Sequence, residues 1–135
     1  MMDPLSVSAS LVALLQLSTT VVKYLTNVKN APDDHRRLMV EVIYIKGLLS
    51  TLQDLAQPGE TWMETVQSLN APNGPLELCS SLWKHLDERL RPVVGFNKAR
   101  KILAWPFQKE EMKDILCRIE RLKTIFGLAL QNDHL

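Results

Sequence analysis

The stretch "DPLSVSASLVALLQLSTTVVKYLTNV", residues 3–28, decides the fold, because it carries no charge from Pro4 to Val22. A helix crossing a bilayer needs roughly 20 predominantly apolar residues, so this segment is a membrane span, a leader, or the buried helix of a bundle. A leader is disfavoured by Asp3 in place of a basic start and by the lack of a clean small-residue cleavage site. Nine Leu and Val residues contribute about −3 to −5 kcal/mol to insertion. Seven polar side chains, from Ser6 to Thr20, oppose them, each costing on the order of 1 kcal/mol in hydrocarbon. The balance excludes a constitutive anchor and leaves a buried helix.

Its pattern agrees. Val7, Leu11, Leu14, Ser18, Val21, Leu25 and Val28 alternate spacings of four and three and share one face. Leu5, Val12, Leu15 and Val22 widen that face, so the helix should be central or covered from two sides. Asp3 can cap it, and Pro4 suits the first helical position, where a missing N–H costs nothing.

The same period continues. After Asn30 and Pro32, Leu38, Val42, Ile45, Leu49, Leu52 and Ala56 form a second stripe, supported by Met39, Ile43, Leu48 and Leu55. A shorter helix is expected around Glu60 to Leu69. Pro75 opens the next, with Leu78, Leu82, Leu86 and Leu90 on one side, and a brief basic helix covers Phe96 to Leu103. The last starts near Gln108 and aligns Met112, Ile115, Ile119, Leu122 and Phe126. No segment shows the period-two alternation of strands. The expectation is an all-α, antiparallel helical bundle of four main helices plus one or two short ones. Leu11, Leu14, Val21, Ile45, Leu49, Ile115, Ile119 and Leu122 should form its core. At 135 residues it is one domain, residues 1–135. The last helix still reads as helical where the chain stops, which suggests a domain cut from a longer polypeptide.

Chemistry is sparse. The five glycines stand alone, without the spacing of a phosphate loop. His35, His85 and His134 are scattered and read as solvated residues rather than ligands or bases. Cys79 and Cys117 read as small buried side chains of a reduced chain, since a disulfide framework needs more cysteines. No enzyme, metal or cofactor is expected. A net charge of +1 gives no general affinity for nucleic acid, and none is expected as a partner.

Charge is uneven in one place. Between Glu88 and Glu110 lie Arg89, Arg91, Lys98, Arg100, Lys101 and Lys109 without one acid, interleaved with Phe96, Trp105 and Phe107. Basic residues with aromatics suit an anionic membrane surface, where Lys and Arg meet lipid phosphate and Trp rests among the headgroups. Arg89, Arg91, Lys98, Arg100, Lys101, Trp105 and Phe107 are the candidate surface. The plainer alternative is a solvated basic strip whose aromatics anchor a loop to the bundle. Neutralising Arg89, Lys98, Arg100 and Lys101 is expected to affect surface binding more than folding.

Taken together, "DPLSVSASLVALLQLSTTVVKYLTNVKNAP", "PNGPL" and "WPFQKEEMKDILCRIERLKTIFGLALQNDH" resemble the HeLo-like N-terminal domain of fungal STAND proteins over Asp3 to His134. The resemblance implies a helical bundle that precedes nucleotide-binding and repeat modules in a cytoplasmic NLR-like protein. It implies action in programmed cell death or incompatibility, through oligomerisation and recruitment to the plasma membrane. Leu5, Leu11, Val12, Leu14, Leu15, Val21 and Val22 would then belong to the membrane-directed helix. The alternative is an interaction adaptor bundle without membrane activity.

Overall fold

Prolines at positions 4 and 75 each open a long helix in the computed structural model, which describes residues 4–28, 32–55, 67–91 and 105–132 (for 4–7 and 132, the backbone only). Among the described residues four helices carry the fold: α1 Pro4–Thr26, α2 Asp33–Leu55, α3 Pro75–Leu90 and α4 Lys109–Asn132. A helical turn at 67–69 precedes α3. Asp33 and Asp34 in the first turn of α2, and Glu110 and Glu111 in that of α4, complement the positive helix ends. The expected brief helix at 96–103, the residues 60–66, Asn30 and Ala56 lie outside the described residues.

The turn before α3 is built by its sequence. Asn73 adopts φ 59, a left-handed conformation that asparagine tolerates better than most residues. Its N–H donates to Glu77 Oε2 at 3.0 Å, so the carboxylate satisfies a free donor ahead of the helix. Gly74 is required there, because a Cβ would sit 2.7 Å from the Ala71 carbonyl oxygen.

The helices form the all-α bundle expected, and side-chain pairs give their directions. The end of α1 meets the start of α2 at Leu25 and His35 and the two pack along their length, so α1 and α2 are antiparallel. Arg89 at the end of α3 meets Glu111 at the start of α4, and with the alignments that follow, α3 and α4 are antiparallel too. Between the two hairpins the sense is parallel. Along α1 and α3, Ser18 pairs with Trp83 and Tyr24 lies by Arg91. Along α2 and α4, Arg37 lies near Lys113, and Glu41 and Tyr44 meet Lys123. α1 packs on both α2 and α3, which gives the central helix its two covers.

All eight expected core residues are buried, Leu11, Val21, Ile45, Leu49 and Ile119 completely. Three expectations need correction. Leu78 is 51% exposed, because α3 turns Cys79, Leu82, Trp83, Leu86 and Leu90 inward, and Leu78 lies about 100° round the helix from Cys79. Ile43 is exposed on the far side of α2 from its buried stripe. Cys117 is exposed, while Cys79 is buried; both are free thiols, and burial pushes that of Cys79 far above the usual range.

Candidate functional site

Two regions carry the candidate residues, and the first is α1. Leu11, Leu14 and Val21 point into the core, Leu15 and Val22 are half-buried against it, and Val12 is exposed. The side chain of Leu5 lies outside the described residues. Among the described residues one helix is long and apolar enough to cross a membrane: Ser8–Thr26 of α1, at a mean hydropathy of 1.3. Its solvent face holds Ala9, Val12, Ala13, Gln16 and Thr19, with no charge until Lys23.

Four hydroxyls of α1 are satisfied within the helix. Ser18 Oγ donates to the Leu14 carbonyl at 2.8 Å, Thr19 to Leu15 at 3.0 Å, Thr20 to Gln16 at 3.1 Å and Thr26 to Val22 at 2.8 Å. Such bonds travel with the helix, so they lower the cost of its polar groups in any apolar surrounding. Ser18 does more. It is a fully buried polar residue of the core, and Trp83 Nε1–H donates to its Oγ at 2.6 Å. This pair fastens α1 to α3 inside the core. Beside it, an open groove of about 430 Å³ separates the two helices, lined by Ser10, Ala13, Leu17 and Ser80 among others.

The second region is the basic and aromatic segment, of which Arg89, Arg91, Trp105 and Phe107 are described; Lys98, Arg100 and Lys101 are not. These four close one end of the bundle. Phe107 is only 6% exposed, so it belongs to the core rather than to a surface. Trp105 is half-buried and stacks edge-on between His35, at 5.5 Å, and Phe107, at 5.2 Å. His35 is not a solvated residue either, since its Nε2 bonds the Leu25 carbonyl.

Arg89 is the clamp of this end. Its guanidinium reaches Glu111 Oε2 at 2.6 Å and Oε1 at 3.2 Å, donates to the Pro106 carbonyl, and lies 5.1 Å from the centre of the Phe107 ring. Neutralising Arg89 should therefore disturb how the segment sits on α3 and α4, whereas Lys98, Arg100 and Lys101, the other residues of the expected surface effect, lie outside the described residues. Arg91 is paired as well, to Asp87 Oδ2 at 2.7 Å, and that pair raises its pKa.

Hydrogen bonds from Arg89, with smaller help from its charge and from His85, hold the Glu111 carboxyl below its ordinary value. A carboxyl depressed by folding contributes stability at neutral pH that is lost as pH falls through its folded value. Glu111→Gln should therefore be less stable than the parent at neutral pH, with the difference closing in acid. Urea midpoints across a pH series check this; a difference independent of pH would remove the role given to the ion pair.

Among the described residues no group of three or more His, Cys, Asp and Glu side chains is placed to hold a metal. The chain matches no known family model, no curated protein and no solved structure.

Proposed function

We propose that the chain is a non-enzymatic signalling and effector domain of the HeLo-like kind, cytoplasmic until activated, serving a fungal NLR-like protein in cell death or incompatibility. It acts by self-association and by presenting α1 to an anionic membrane. The observation that supports this reading is the chemistry of α1. The helix carries no charge between Pro4 and Val22, and its Ser and Thr hydroxyls at 18, 19 and 20 bond back to its own carbonyls. Lying in the interface, which costs less than a full span, is its first contact with the membrane, and the charge-free segment then enters the bilayer to open it. The trigger would have to separate Ser18 from Trp83.

A second reading is favoured by the exposed Val40, Ile43 and Tyr44 on α2, which suit a protein partner. In that case the bundle is an adaptor with no membrane action. Dye release from anionic liposomes by the chain, clustered through a fused oligomerising tag, separates the two. Release that depends on clustering supports the effector; intact vesicles at every concentration support the adaptor.

A further inference from the structure

The outward face of α2 has a repeating pattern that the packing among the described residues does not explain. Arg36, Val40, Ile43, Gly47, Ser50 and Asp54 are all exposed, and their spacings alternate four and three. That is the seam of a left-handed helix pair. Val40 is 55% exposed, Ile43 48% and the flanking Tyr44 55%, a concentration of apolar surface on one helix. Gly47 stands in the middle of it. A glycine inside a helix costs about 1 kcal/mol relative to alanine, yet a Cβ there would meet nothing within 4 Å. No contact among the described residues calls for a glycine at this position.

We propose that α2 pairs antiparallel with α2 of a second copy, forming a two-fold dimer along this seam. The six positions are symmetric about Ile45, so the face complements itself. Arg36 opposes Asp54 of the second copy, Val40 opposes Ser50, and Ile43 drops into the notch at Gly47. Asp54 is already engaged within its own chain, so what it offers is the negative charge it places at that end. Antiparallel pairing is selected by charge: a parallel pair would set Arg36 against Arg36 and Asp54 against Asp54. Tyr44 meets its own copy beside the axis on one flank. Lys46 does so on the other, which weakens the pair without blocking it.

The 23 residues of α2 make a face about 34 Å long. One helix pair of that length sits at the low end of the ~1,200–2,000 Å² buried in standard interfaces. The dimer is therefore weak and concentration-dependent. It needs no lipid, so its failure leaves the membrane reading standing.

Sedimentation equilibrium of the whole chain, from low to several hundred micromolar, should show reversible dimerisation. Gly47→Arg should fold as the parent does, with equal or greater helicity and a melting temperature no lower, because the site is open and arginine favours a helix over glycine, while weakening the dimer roughly tenfold or more. Disulfide trapping gives an independent check in a Cys117→Ser background. Ile43→Cys mixed with Gly47→Cys should cross-link several-fold more than either variant alone. A parent that stays monomeric throughout overturns the proposal. So does a Gly47→Arg variant that dimerises as tightly as the parent, or a mixture that cross-links no better than its components.

Discussion

Trp83→Ala is expected to cost about 3–5 kcal/mol of stability, the range for removing a large aromatic from a core. The indole is fully buried, and it crosses from α3 to Ser18 on α1, the one buried polar residue among the described residues. Its two contributions can be separated. Ser18→Ala leaves the volume of the core almost unchanged but strands the buried indole N–H, which costs about 1–3 kcal/mol. Trp83→Phe removes that donor, and Ser18 keeps its bond to the Leu14 carbonyl. Ser18→Ala should then be nearly harmless in the Trp83→Phe background. Urea unfolding of the four proteins measures the coupling. Additive costs would mean that the bond between α1 and α3 contributes nothing.

Leu49→Ala should cost about 2–5 kcal/mol. Leu49 is fully buried on α2, the helix that packs against both α1 and α4, so a cavity there has walls from more than one helix and little freedom to close. Ile43→Ala, six residues earlier on the solvent face, should change monomer stability by no more than about 0.5 kcal/mol. Thermal melts of the two variants at low concentration make the comparison. Equal losses would mean that the inner and outer faces of α2 have been assigned wrongly.

The buried stripes of α1, α2 and α4 were legible in the sequence because they are apolar at nearly every turn, whereas Ile43, apolar on the outer face of α2, was read with the stripe that it does not join. Ser18 was placed on the buried face by spacing alone, despite its hydroxyl. α3 was harder to read. Its four-spaced leucines, Leu78, Leu82, Leu86 and Leu90, drift across the helix surface, while Cys79, Trp83, Leu86 and Leu90 keep the four-three spacing that follows one face. The tryptophan and the cysteine carried the signal that the leucines obscured.

The basic strip was harder still. Composition shows that Arg89 and Phe107 are basic and aromatic, but not that they meet each other, Pro106 and Glu111 at the end of the bundle. Long-range pairing of this kind depends on the direction of the two hairpins, and no local pattern encodes that. The parallel alignment of α1 with α3 has the same origin. The short connection between Thr26 and Asp33 specifies the antiparallel pairing of α1 with α2, whereas the relation between hairpins comes from side-chain fit such as Trp83 against Ser18.

The claim that α1 has two environments, the bundle and the lipid surface, is tested most directly by Gln16→Lys. Gln16 is exposed on α1, so the change should leave unfolding within about 0.5 kcal/mol of the parent. A lysine near the centre of the segment adds roughly 2.5–3.5 kcal/mol to insertion. Dye release from anionic liposomes by the clustered protein should therefore fall sharply while the melting curve stays in place. A Gln16→Lys protein that folds normally and empties liposomes as fast as the parent would contradict the account, because α1 would not then enter the bilayer.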